Sequence, residues 1–196
     1  MAKSTAMRSV LCAFCLTGAG ALAGCGGGHA ALTQATAGVP PNQLVINGVP
    51  VPPDPGPTVD ATLAGIDVNH NGVRDDVERA IAAKYGANKQ EWAAVMQIAR
   101  ADQLSVVANG NPTLSNSANA AEMAAGWCEG EVFGAAAYER GVHPGAFSFA
   151  ATNDTPQRLA AFEATAAINT PNIVVPFNAS TCEWRVGRVQ APGTAQ

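Results

Sequence analysis

The chain is poor in the residues that most catalytic and nucleic-acid-binding proteins rely on. Of its 196 residues, 13% are charged and 6% aromatic; histidine occurs three times, and the formal net charge is −4. An acidic balance without a Lys/Arg-rich run leaves no basic footprint, so nucleic acid is not an expected partner. The G-x-S-x-G nucleophile turn and the H-E-x-x-H zinc pair are both missing. So is G-x-G-x-x-G, and the glycines of "CGGGHA" at 25–30 read as linker. His29, His70 and His143 stand apart from one another and from the cysteines, and none is assigned a role. Glu122, Glu129 and Glu131 read as solvated positions on a helix, the last two pointing to different faces. Hydrophobic residues make up 47% of the chain. Much of that is alanine, which implies one domain of ordinary size with a modest core.

The first residues carry an address. Lys3 and Arg8 precede an apolar run over 10–23 that is short for a membrane span. Leu22-Ala23-Gly24-Cys25 follows, and it resembles the lipobox of bacterial lipoproteins. Small residues there let a signal peptidase hold an extended backbone, and the thiol accepts the diacylglycerol. The resemblance implies removal of 1–24 as a signal peptide and lipidation of Cys25, with the membrane as partner. Gly26 in place of aspartate implies the outer membrane of a Gram-negative cell envelope. Each buried CH₂ of an acyl chain contributes about 0.8 kcal/mol, so a multiply acylated Cys25 is a firm anchor. The alternative is an ordinary signal peptide cut near Ala23.

Export also sorts the cysteines. Cys12 and Cys15 leave with the signal, and Cys25 takes lipid. Cys128 and Cys182 remain in an oxidising compartment and are expected to form a disulfide. The loop so closed is worth about 4 kcal/mol in the chain-entropy estimate. Two unpaired buried thiols are the other reading.

Residues 25–58 read as a Gly/Ala/Pro-rich tether. Within it "QLVINGVPV" admits a small hairpin at Asn47-Gly48, but Pro50 and Pro52 favour a short extended segment laid on the domain. Residues 59–188 form the expected domain and 189–196 a frayed tail. The fold expected is mainly α, about four helices with a disulfide-stapled extended segment over 172–186. Val77, Ile81 and Tyr85 mark a helix over 76–85, with Gly86 as its stop. Trp92, Val95, Met96 and Ala99 mark a second over 89–107. A third spans 117–138 with Met123, Trp127 and Phe133 inward, after a turn at 109–112. Residues 141–149 read as loop. Thr155-Pro156 is an N-cap with proline at the first helical position, opening a fourth helix that runs to about Ile168.

The most informative stretch is "GIDVNHNGVRDDVERAIAAKYG" over 65–86. Counted from Asp67, it fits D-x-[DN]-x-[DN]-G-x₅-E: Asp67, Asn69, Asn71, Gly72, Val73, Asp75 and Glu78 occupy positions 1, 3, 5, 6, 7, 9 and 12. Calcium takes six to eight oxygens, and alternate residues on a tight loop aim theirs at one centre. Glycine at position 6 permits the turn, residue 7 offers its carbonyl, and the glutamate reaches back from the first helical turn. Asp75 and Glu78 also stand in a capping-box relation.

The loop resembles EF-hand-like calcium loops, with two departures. The preceding "PGPTVDATLAG" is a poor helix, and position 8, usually aliphatic and paired with a sister loop, is Arg74. A solitary loop with its exit helix is similar to dockerin and thrombospondin type 3 repeats. The run "GIDVNHNGVRDDVER" also resembles a stretch of uncharacterised proteobacterial exported proteins, which carries over no activity. The resemblance implies a structural Ca²⁺ with a dissociation constant on the order of 10⁻⁴–10⁻³ M. The alternative is a polar turn whose Asp75, Asp76 and Glu78 favour the helix N-terminus. Two functions follow: a lipid-anchored structural or interaction module of the envelope with a possible protein partner, or an enzyme or accessory subunit. A cleft lined by Trp92, Trp127 or Trp184 would favour the second.

Overall fold

A computed structural model of the chain describes residues 44–168, 175, 177, 178 and 180–184. The expected signal at 1–24, Cys25, the tether up to residue 43 and the tail at 189–196 lie outside the described residues. Helix α2, Lys89–Ala108, is the axis of the domain. Ala93, Ala94, Val95, Met96, Ala99, Ala101 and Val106 bury side chains on nearly all of its sides. A helix without a solvent face must be surrounded. It is enclosed by α1 (Asp75–Tyr85), α3 (Pro112–Glu139), α4 (Pro144–Thr152) and α5 (Pro156–Ala166). A two-stranded antiparallel hairpin, β1 (Leu44–Ile46) and β2 (Val49–Val51), and a 3₁₀ turn over Gly56–Ala61 precede them. The fold is mainly α, as the periodicity predicts.

Local chemistry sets the helix starts. Asn88 accepts from the amides of Gln90 and Glu91, and Asn111 from those of Thr113 and Leu114 with Pro112 behind it. Thr155 accepts from the Arg158 amide, the expected cap, with Pro156 at the first turn. α3 starts at Pro112, ahead of the expected 117. The stretch read as loop contains α4 instead. Pro144 opens it as Pro156 opens α5, a signal that was present in His143-Pro144.

Two inward assignments on α3 change. Its buried stripe is Ala118, Ala125, Cys128 and Glu129. Met123 lies off that stripe and is 44% exposed. Trp127 is half-buried and stacks on Phe177 with ring centroids 5.8 Å apart. Phe133 does pack onto the core, edge-on to Tyr85 at 6.0 Å.

Residues 44–51 form the hairpin rather than a single extended segment. Asn47 and Gly48 take φ of 49° and 79°, the left-handed pair that a two-residue turn requires. The twist sends Val49 and Val51 into the core beside Val77, Ile81 and Tyr85. Asn47 also donates to the carbonyls of Ala82 and Ala83 at 3.1 and 2.8 Å, tying the turn to the end of α1. Gly86 follows α1 with right-handed φ of −60°. Its lack of a side chain makes room for the hairpin, since a Cβ would lie 3.0 Å from Asn47 Cβ and 3.1 Å from Val49 Cγ2.

Cys128 and Cys182 form the expected disulfide, both fully buried, with Cα atoms 5.4 Å apart and 54 residues of separation. Residues 180–184 are turn rather than extended, and 172–174, 176, 179, 185 and 186 lie outside the described residues. Gln97 holds the same turn from α2: its Nε2 donates to the Thr181 carbonyl and its Oε1 accepts from the Glu183 amide, each at 3.1 Å. Reduction is therefore expected to cost about 4 kcal/mol of stability. Urea unfolding with and without reductant measures it, and the C128S/C182S double variant should show the same loss without reductant.

Candidate metal centre

Residues 67–78 are curled by their own side chains. Asp67 accepts from the amides of Asn71 and Gly72 at 3.1 and 2.9 Å. Asn69 Oδ1 accepts from the Asn71 amide at 3.2 Å, and Asn71 Oδ1 from the Val73 amide at 2.9 Å. Asp75 Oδ1 reaches back to the Val68 amide at 3.0 Å. The capping box between Asp75 and Glu78 is therefore not made; α1 starts without a side-chain cap. Gly72, with φ of 84°, supplies the left-handed turn at position 6, and His70, φ 55°, a second. Val73 buries its side chain in the core, leaving its backbone as its only possible contribution to the loop.

Glu78 returns from the first turn of α1. Its Oε2 accepts from Asn69 Nδ2 and Asn71 Nδ2 at 2.9 and 2.8 Å. Its Oε1 and the Oδ2 of Asp75 are buried without a hydrogen-bond partner. Glu78 is 0% and Asp75 1% exposed. Burial raises both carboxyl pKa values, and Asp67 adds to both by like charge. Two buried carboxyl oxygens without a hydrogen-bond partner, on a loop that also carries Asp67, Asn69 and Asn71, fit a hard cation, which binds oxygen and offsets the repulsion between acids. Asp67, Asn69, Asn71, Asp75 and Glu78 are thus brought together in one loop. Among the described residues no group of three His, Cys, Asp or Glu side chains stands arranged to hold a metal. A cage here needs the amide oxygens of Asn69 and Asn71 as well as the acids, and those amides now turn their N–H groups toward Glu78.

Arg74, the departure from the calcium-loop pattern at position 8, turns inward. It is fully buried. Nε and Nη2 bond Asp76 at 3.0 and 2.7 Å, Nη1 and Nη2 bond Asp154 at 3.3 and 2.8 Å, and the carbonyls of Thr152 and Ala151 accept at 3.0 and 3.2 Å. Gly65 is open for it: a Cβ there would lie 2.3 Å from Arg74 Cδ. Asp154 also takes Arg158 Nη1 at 2.7 Å. Burial works against the Asp154 charge, but the two arginines win and hold its carboxyl below the usual range. Charge alone marks these residues in sequence; their convergence is tertiary.

A groove of about 500 Å³ adjoins the loop, walled by Gly65, Asp67 and Gly72 on one side and Arg100, Gln103, Leu104 and Val107 of α2 on the other. Arg100 is paired with Glu183. None of Trp92, Trp127 and Trp184 lines it.

A second acidic cluster lies where α2, α3 and α4 meet. Glu122 and Glu129 are not solvated as expected, because this face of α3 turns toward partners on the other helices. Glu129 is buried and accepts from the Gly145 amide at 2.8 Å. Ser148 donates to Asp102 at 2.6 Å, Ser105 donates to Glu122 at 3.0 Å, and the two carboxyls bond each other. Desolvation pushes Asp102 up to about 6 and Glu122 up to about 8. Two carboxyls in one site share a proton. Their contribution to stability is complete below the unfolded carboxyl values near 4 and is lost as pH rises towards about 8. Urea unfolding across that window should show a decline that Glu122→Gln, neutral at every pH, flattens.

Comparison of the chain with protein-family models, with curated proteins and with solved structures finds no match, so the candidate centre stands on its own geometry.

Proposed function

We propose that residues 67–78 bind a structural Ca²⁺ in a lipid-anchored cell-envelope protein, whose helical domain is a structural or interaction module. The observation that carries the metal reading is the pair of buried, partnerless oxygens, Asp75 Oδ2 and Glu78 Oε1, at positions 9 and 12 of a calcium-loop spacing. Asp67, Asn69 and Asn71 would complete the side-chain oxygens and the Val73 carbonyl the backbone one. The ion would supply positive charge where the Asn69 and Asn71 amides now do. The envelope reading draws on the Leu22-to-Cys25 lipobox, and a disulfide agrees with an oxidising compartment. No helix of the described residues is long and apolar enough to cross a membrane. The groove beside Asp67 and Gly72 favours a second reading, an enzyme or accessory subunit that takes a small ligand there.

Thermal unfolding of the oxidised protein in EDTA, then in millimolar calcium or magnesium, tests the metal. A rise in Tm selective for calcium is expected, with Kd on the order of 10⁻⁴–10⁻³ M. Glu78→Gln should abolish that rise while leaving Tm in EDTA equal or higher, because it removes one of the mutually repelling acids. A capped turn without an ion would show no calcium response in either protein. Separately, Cys25→Ala should abolish incorporation of a labelled fatty acid into the protein; unchanged incorporation would refute the anchor.

A further inference from the structure

We infer that the corner between α4 and α5, acting through Asp154, holds both the segment that leads into the 67–78 loop and position 8 within it, and thereby sets the loop's affinity for the ion; this rests on the calcium reading above. The approach to the loop is fixed by Arg158, itself 1% exposed. Its guanidinium donates to the carbonyls of Val59, Thr62 and Leu63 at 2.7, 3.2 and 3.2 Å and to Asp60 at 2.7 Å. The far side is fixed by Arg74, which sits between ligand positions 7 and 9. One carboxylate, Asp154, binds both arginines. The Asp75 amide donates to the Ile66 carbonyl at 2.8 Å and closes the ring between them.

An EF-hand-like loop is braced by an incoming helix and a sister loop. Here the approach is a 3₁₀ turn followed by bends, and position 8 carries a buried cation. The two arginines do the bracing instead. Holding the loop curled before the ion arrives lowers the ordering cost of binding. Linkage makes the effect reciprocal: an ion that favours the curled loop also favours the docked corner. Asp154 and Arg74 are positioning residues, since no assigned ligand role falls on either.

Their charges provide the discriminating test. Acting through space alone, loss of the Asp154 carboxylate should weaken cation binding and loss of the Arg74 cation should strengthen it. Bracing predicts that both losses weaken it. Calcium titration of the purified oxidised full chain by calorimetry, for the wild type, Asp154→Asn and Arg74→Met, reads this directly. Both variants are expected to bind about tenfold more weakly. Asp54→Asn, at an exposed acid paired distantly with Arg79, is the charge control and should match the wild type. Amide exchange at 151–154 should slow on adding calcium to the wild type and not to the variants.

Calcium binding by the wild type, with Arg74→Met equal or tighter and no protection at 151–154, would overturn the bracing and leave the metal site standing. No binding by the wild type would overturn both. Should Asp154→Asn fail to fold, Arg74→Met and the wild-type exchange pattern still decide.

Discussion

Two guanidiniums lie inside this domain with 0% and 1% of their side chains exposed, and the Asp154 carboxylate touches both. An arginine cannot shed its proton at any pH a protein meets, so a buried one must be surrounded by acceptors. Arg74 and Arg158 gather theirs from distant segments: Asp60 and the carbonyls of 59, 62 and 63, Asp76, and the α4–α5 corner. Removing a partner leaves a buried guanidinium short of an acceptor, a cost that water contact at Asp154 and Asp60 reduces but does not remove. The corner must therefore return to the loop for the chain to fold as it does. Gly65 is part of the same constraint, since only a residue without Cβ leaves Arg74 its path. Asp154 keeps contact with water, so salt can weaken the network in a way that it cannot weaken the core.

The buried acids resolve the same problem in the opposite way. Asp102 and Glu122 accept from Ser148 and Ser105, and desolvation raises both carboxyl pKa values, which favours their neutral forms. A carboxyl needs a shift of only a few pH units to be neutral near pH 7, and burial supplies that much; an arginine would need far more. Desolvation thus removes charge from the acids and recruits partners to the arginines. The 67–78 loop belongs to neither solution. Glu78 has two amide donors on one oxygen and none on the other, and Asp75 is half satisfied. That imbalance is the observation on which the calcium proposal rests.

Much of this was legible in the chain because it rests on neighbours in sequence. Thr155-Pro156 caps a helix by geometry confined to four residues, and the spacing of Asp67, Asn69, Asn71, Asp75 and Glu78 curls a loop by bonds that span at most nine. Helix α4 carried half of that signal: Pro144 lies in its first turn as Pro156 does in α5, but His143 makes no side-chain cap. The hairpin at Asn47-Gly48 was one of two local possibilities, and burial of Val49 and Val51 against α1 selected it.

Local sequence was enough for the helical class, for the starts of α1, α2 and α5, for the expected pairing of Cys128 with Cys182, and for which side chains could face one another across the loop. That Arg74 is internal, that Asp154 serves two arginines and that Glu122 and Glu129 are shielded came from packing between distant segments. The reason is physical. Caps and turns are settled by dihedral preferences and bonds within a few residues. The ionic and acidic clusters join atoms up to 99 residues apart, and whether a charged residue there is solvated or buried depends on which helix α2 brings against it.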